Sequence, residues 1–184
     1  MVTTKLLTAE DVLALAADSD DHFELIEGEL IRMSPATFEH GWVEGLLGRR
    51  IGNHAEEHDL GEVFGSSAGY FFSHDPDTLL QPDVTFVRAD RLPPRDTWWA
   101  FSEVVPDLVV EVISPSEPRA RIRRKIDIYL ANGVRLIWFV DPRRQTVTVY
   151  APDREPVPLG AGDALDGEDV LPGFRLAIAA LFEQ

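Results

Sequence analysis

Two carboxylates and one amine in this chain could do chemistry. Asp83 opens an apolar run in Gln81-Pro82-Asp83-Val84-Thr85-Phe86-Val87. Glu111 lies inside Pro106–Ser116, PDLVVEVISPS, between Leu108, Val109 and Val110 on one side and Val112 and Ile113 on the other. A short β-branched run bounded by proline predicts a buried central strand. A carboxylate there costs several kcal/mol unless it is paired or binds a metal. Two readings of Glu111 therefore stay open: a structural ion pair, or a metal ligand or catalytic group. The amine is Lys125. Of 17 basic residues only Lys5 and Lys125 are lysines, and arginine does not replace a compact ammonium whose pKa can be tuned. Carboxylates at strand ends, a nearby amine and no cysteine suggest divalent-metal hydrolysis of a phosphodiester. Mg²⁺ is held by one or two carboxylates plus phosphate and water. The ion polarises the phosphoryl oxygen and acidifies a bound water, and a lysine can orient that water or stabilise developing charge.

Those residues need elements to hold them. Thr8 caps a short helix running to about Ala17, and Asp18–His22 is a polar link. Phe23–Met33 reads as two strands joined at Glu27-Gly28, with Glu24 and Ile26 on one face of the first strand. Thr37 to about His58 reads as a long helix, with Trp42, Val43, Leu46, Leu47 and Ile51 on its apolar face and Gly61 as its stop. Short strands are expected at Glu62–Phe64, Gly69–Phe72 and Asp83–Val87, and Arg88–Phe101 reads as a loop with an exposed Trp98-Trp99. The central strand, Asp107–Ile113, leads through a turn into a helix over Pro118–Ala131, closed by Asn132-Gly133. Val134–Val140 and Thr146–Tyr150 are further strands. Pro152–Gly173 has room for one more, and Leu176–Phe182 reads as a closing helix. The strand–helix–strand crossover at Asp107–Val140 makes this an α/β chain with a mixed central sheet flanked by helices.

Bulk properties narrow the function. At 184 residues the chain is expected to form one domain. A net charge of −15 argues against non-specific nucleic-acid binding by the whole surface, so any phosphate contact must be local or bridged by a cation. No run is long and apolar enough for a membrane span, and Met1–Thr8 has no signal-peptide core. The absence of cysteine excludes disulfides and suits a cytoplasmic protein.

Five segments in this order, FELIEGELIRMSPATFEH, QPDVTFV, PDLVVEVISPS, RKIDIYLANGV and WFVDP, resemble the restriction endonuclease domain family, a domain-of-unknown-function family. It lies within the PD-(D/E)XK nuclease superfamily, whose signature Pro82-Asp83 and Glu111-Val112-Ile113 resembles. The match runs from about Thr8 to Phe182. The resemblance implies a restriction-endonuclease-like core with an added N-terminal hairpin and C-terminal strands. It implies Asp83 and Glu111 as ligands of Mg²⁺, with Mn²⁺ an alternative, and DNA as the substrate. The superfamily places its lysine two residues after Glu111, where this chain has Ile113. In the resembled family the amine comes from the following helix, which matches Lys125 to that role. Arg121 stands where relatives usually carry Asp. Glu24 matches the family's acidic position in the first strand, as a ligand, a partner of ligands or a hairpin surface charge. His40 matches its histidine near the start of the long helix, for a site or a structural role.

The remaining candidates come from spacing. Tyr129, four residues after Lys125, shares its helix face, for packing or a site hydrogen bond. Arg119, Arg121, Arg123, Arg124 and Lys125 concentrate charge in seven residues. Arg119 and Arg123 suit a solvated face, and Arg121 and Arg124 phosphate contact. His54-Ala55-Glu56-Glu57-His58 fits a zinc-protease pattern but lacks a third ligand. The expected function is a metal-dependent endonuclease. The alternative is a non-catalytic nuclease-fold binding or regulatory module, favoured by the acidic charge. A homodimer is expected, because two symmetric sites cut both strands of a duplex most simply and Trp98-Trp99 could pack at its interface. Lys125 is expected to face the surface and to contribute little to folding.

Overall fold

The structure, a computed structural model, describes residues 6–17, 21–33 and 35–183. Lys5 and the 18–20 part of the expected link lie outside the described residues. A helix, α1 (Ala9–Ala17), leads to a hairpin of β1 (Phe23–Ile26) and β2 (Glu29–Arg32). Both turn residues, Glu27 and Gly28, have positive φ (53° and 75°), the backbone that matches the twist of a two-residue hairpin. The long helix α2 (Phe38–Glu57) follows, its first turn capped by Thr37, whose hydroxyl accepts from the His40 amide at 3.2 Å.

Nine further strands and one helix follow in order. They are β3 (Gly61–Gly65), β4 (Tyr70–Ser73), β5 (Thr78–Leu80), β6 (Val84–Arg88), β7 (Leu108–Val112), α3 (Arg119–Ala131), β8 (Leu136–Asp141), β9 (Thr146–Tyr150), β10 (Val157–Leu159) and β11 (Ala164–Asp166). β12 (Arg175–Ala177) closes the chain with a 3₁₀ turn at Ile178–Leu181. A six-stranded sheet has the order β10-β9-β8-β7-β6-β3, and β7 and β8 are its parallel pair, joined by α3. The hairpin extends into a four-stranded sheet, β2-β1-β5-β4.

Alternation along β7 divides the interior in two. Leu108, Val110 and Val112 face a core built with α2 residues Val43, Leu46, Leu47 and Ile51 and with the C-terminal Leu171, Phe174 and Ile178. Val109 faces the other core, with Ile126 and Tyr129 of α3 and Ile26, Tyr70 and Phe72 of the smaller sheet. Glu111 is on the Val109 side, since side chains two apart share a face. Asp107 is fully buried and pins the start of β7: one carboxylate oxygen accepts from the Arg88 amide at 3.0 Å, and the other pairs with Arg91 at 2.8 Å.

Four expectations need correction. α2 ends at Glu57 with His58 as its cap, Asp59 (φ 52°) takes the left-handed position and the Leu60 amide bonds back to Ala55, so Gly61 belongs to β3 instead. Trp42 lies on the rim of the buried face and is 42% exposed. Trp98 is half-buried: its indole N–H donates to the Pro93 carbonyl and Arg95 stacks on its ring, while Trp99 is 95% exposed. The expected closing helix is instead β12 followed by the 3₁₀ turn. Seven residues are too few to hold a helix alone, and Arg175–Ala177 pair with Ala164–Asp166 around buried Leu165.

Candidate active site

The turn between β5 and β6 holds Asp83 against the end of β7. One oxygen of its carboxylate accepts the Val112 amide at 2.6 Å, and the other accepts from His40 Nε2 at 3.1 Å. This bond to the amide next to Glu111 joins the two strands at the point where both carry a carboxylate. Proline at position 82 cannot donate, so the chain enters β6 without a ladder bond there. The amide of Gln81 instead donates to Glu24 Oε1 at 2.9 Å. Glu24, fully buried in β1, therefore braces the segment that presents Asp83.

Lys125 lies on α3 facing β7. Its Nζ is 3.0 Å from Glu111 Oε1 and 3.0 Å from Glu24 Oε1, and the residue is fully buried. The expectation of a surface-facing amine is wrong: α3 crosses over the sheet, and the first carboxylates on that side draw the ammonium in. Tyr129, one turn further along the same face, donates its hydroxyl to the same Glu111 oxygen. Ile113 shares the Glu111 face and packs into the apolar core there. The position two after Glu111 is thus filled by hydrocarbon, and the amine arrives from the helix.

Charge in this cluster does not balance. Asp83, Glu111 and Glu24 set three carboxylates against one ammonium. Burial pushes the Glu111 carboxyl up; Lys125 pulls it back, and Asp83 and Glu24 add to the rise, to about 8. Burial alone would lower the Lys125 pKa, but Glu111, Glu24 and Glu117 outweigh it, so the group is raised and stays an ammonium. Burial, followed by Glu111 and Glu24, raises the Tyr129 hydroxyl well above its usual value, which keeps it a donor. The hydrogen bond to Asp83 raises the His40 pKa against the lowering effect of burial.

A cleft of about 300 Å³ opens beside Asp83, with His40, Glu44, Gln81, Glu117 and Arg121 among its walls. The structure therefore brings together Asp83, Glu111, Lys125, Glu24, His40 and Tyr129, with Arg121 at the cleft wall. Arg124 is elsewhere: its guanidinium pairs with Glu27 and Glu29 of the hairpin. Among the described residues, His54 and His58 join no group of metal-ligating side chains. Each ring donates to a carbonyl, His54 to Pro172 at 3.0 Å and His58 to His54 at 2.9 Å. Sequence reasoning missed Glu44, one turn after His40 on α2, although that spacing predicts a shared face. It also missed the two backbone amides, of Gln81 and Val112, which carry no side-chain signal.

The donor chemistry fits a hard divalent ion. Carboxylate oxygens with an excess of negative charge suit Mg²⁺ or Mn²⁺. Glu24 Oε2 is buried and has no hydrogen-bond partner among the described residues, a group that is costly to leave unsatisfied.

A mixed sheet with one parallel crossover, acidic residues at adjoining strand ends and a helix-borne amine defines a restriction-endonuclease-like fold. The chain belongs to the Uma2 family, described as "Putative restriction endonuclease", which matches residues 9–179. A crystal structure of a "putative nuclease belonging to DUF820" from Anabaena variabilis has the same fold, with a TM-score of 0.78 at 21% identity over 89% of this chain and 91% of that one. No curated protein matches.

Proposed function

We propose that the protein is a single-domain, divalent-metal-dependent endonuclease that hydrolyses phosphodiester bonds of DNA, with Mg²⁺ as its ion and Mn²⁺ as an alternative. One observation carries the reading: Asp83 is bonded to the backbone beside Glu111, while a buried lysine donates to the Glu111 carboxylate. Asp83 and Glu111 would hold the ion. When bound, it would polarise a phosphoryl oxygen and acidify a water.

The chain's own residues have separable tasks in this reading. Glu24 fixes the Gln81-Pro82-Asp83 segment. Lys125 and Tyr129 set the orientation of Glu111, and the ammonium keeps positive charge near the phosphate. Arg121, at the cleft wall, draws the backbone phosphate in, which a chain of net charge −15 must do locally. The absence of cysteine suits work in the cytoplasm. A homodimer would place two such sites on one duplex. Phe38 (92% exposed) and Trp99 (95% exposed) offer apolar contact area for it.

The test is supercoiled plasmid with Mg²⁺, Mn²⁺ or EDTA, for wild type and Asp83→Asn. Metal-dependent nicking lost in Asp83→Asn supports the proposal. One feature favours a second reading, a non-catalytic binding module: Lys125 is sealed between two carboxylates with no exposed surface. No nicking, with duplex binding retained in EDTA, would select it. Light scattering of a micromolar solution decides the dimer.

A further inference from the structure

We propose that Glu117, in the turn between β7 and α3, is the general base of the cleavage reaction and takes a proton from the attacking water. This deepens the nuclease reading and rests on it, because that reading supplies the phosphodiester at Asp83 and Glu111.

A base must face the cleft and be free to accept a proton. The other groups at the site are committed. Lys125 is fully buried, its ammonium 3.0 Å from Glu24 and 3.0 Å from Glu111, and that pairing keeps it charged. Tyr129 donates its hydroxyl to Glu111. Both oxygens of Asp83 accept hydrogen bonds, one from the Val112 amide and one from His40. Glu111 Oε1 is held by Lys125 and Tyr129, and Glu24 has no exposed surface.

Glu117 differs on each point. It lines the cleft together with Asp83 and Arg121. It is half-buried, and among the described residues no hydrogen bond or ion pair engages its carboxylate. Its backbone is fixed from both sides. The Glu117 amide donates to the Ser114 carbonyl at 3.0 Å, and Pro118, the cap of α3, restricts the residue before it to extended angles. A carboxylate on so constrained a backbone loses little freedom when a water binds to it, which favours proton transfer. Burial raises its pKa. Lys125 and Arg121 oppose that rise from α3, while Glu24 of β1 and Asp83 add to it, and the balance is upward. His40 and Glu44 face the same cleft from α2. A carboxylate whose proton affinity lies closer to neutrality is a better base than one fully in water. In the step itself, the water oxygen bonds to phosphorus as one water proton passes to a Glu117 oxygen. The bond from phosphorus to the leaving oxygen breaks, that oxygen takes a proton from solvent, and Glu117 returns its own to solvent afterwards.

The experiment is the pH dependence of Mg²⁺-dependent plasmid nicking by wild type and Glu117 variants, with Mn²⁺ binding to each metal-free chain read by calorimetry. The wild-type rate is expected to climb with pH along an acidic limb. Glu117→Gln should lose about a hundredfold in rate and lose that limb, while binding Mn²⁺ as wild type does. Glu117→Asp should keep the limb at a reduced rate. Formate should restore part of the Glu117→Ala rate by filling the vacated space with a carboxylate, which a merely structural role would not allow. Wild-type cleavage with rate and limb both retained in Glu117→Gln overturns the assignment and leaves the nuclease reading standing. A limb that persists in Glu117→Gln and vanishes in Glu44→Gln also overturns it, as does a rate loss that follows lost Mn²⁺ binding. No cleavage by wild type overturns both. Circular dichroism checks folding; if Glu117→Gln does not fold, Glu117→Ala with formate decides, and failure of rescue overturns the proposal.

Discussion

Replacing Lys125 by methionine should cost the metal-free protein about 3–5 kcal/mol at pH 8, the range found when one partner of a buried charge cluster is removed. Methionine keeps the unbranched stem, so little cavity forms. The loss is electrostatic. The ammonium is 3.0 Å from one oxygen of Glu24 and 3.0 Å from one of Glu111. Without it, two buried carboxylates and nearby Asp83 face one another. With the ammonium gone the buried carboxylates relieve their repulsion by taking up protons, so the native state binds more protons than the unfolded chain, and stability falls as pH rises. The penalty should shrink by at least about 1.4 kcal/mol between pH 8 and pH 5, the value of one unit of pKa shift. Urea unfolding in EDTA, followed by the fluorescence of buried Trp138, measures it at both values. A loss below about 1 kcal/mol at pH 8, against the range for buried pairs, would refute the reasoning, as would a penalty independent of pH. Lys125→Arg keeps the charge but forces a wider fork into a filled space. It should cost about 1–3 kcal/mol of stability and at least tenfold in metal-dependent cleavage, about 1.4 kcal/mol of barrier.

Three further outcomes follow from the same geometry. The Glu111 carboxyl is raised from 4.5 to about 8 in the folded state, so its contribution is fully present below about pH 4.5 and is lost as pH rises through about 8. The melting temperature of the metal-free protein should therefore fall from pH 6 to pH 9, and Glu111→Gln should flatten that fall. Tyr129→Phe leaves Glu111 Oε1 without its hydroxyl donor and should cost about 1–2 kcal/mol in denaturant unfolding, with weaker Mn²⁺ binding by calorimetry. Asp59→Gly at the left-handed end of α2 (φ 52°) should raise stability by about 0.5–1 kcal/mol, because glycine carries no Cβ penalty there; thermal unfolding decides it.

Local patterns were legible wherever one side of an element is dry. PDLVVEVISPS could be read as a central strand from its β-branched run, and Thr146–Tyr150 matches β9 residue for residue. The hairpin at Glu27-Gly28 and the end of α3 at Asn132-Gly133 were visible because few residue pairs accept those backbone angles. Asp83, Glu111 and Lys125 were singled out by type: acids beside buried apolar runs, and a lone lysine among arginines. The strand at Thr78–Leu80, buried throughout, was missed, since three residues have too short a period to detect.

Only the tertiary structure decided how those residues meet. Lys125 reads as exposed in an arginine-rich helix, yet the crossing of α3 over β7 buries it, because Glu24 and Glu111 both lie on that side. The C-terminal residues adopt β12, since pairing with β11 covers Leu165 better than a seven-residue helix would. Arg124 turns to the hairpin, where Glu27 and Glu29 offer nearer partners than the cleft. Sequence thus determined the character of each segment through local sterics and solvation. The partners of Lys125 and Arg124 were set by long-range pairing, because electrostatic choice depends on distances that exist only once the chain has folded.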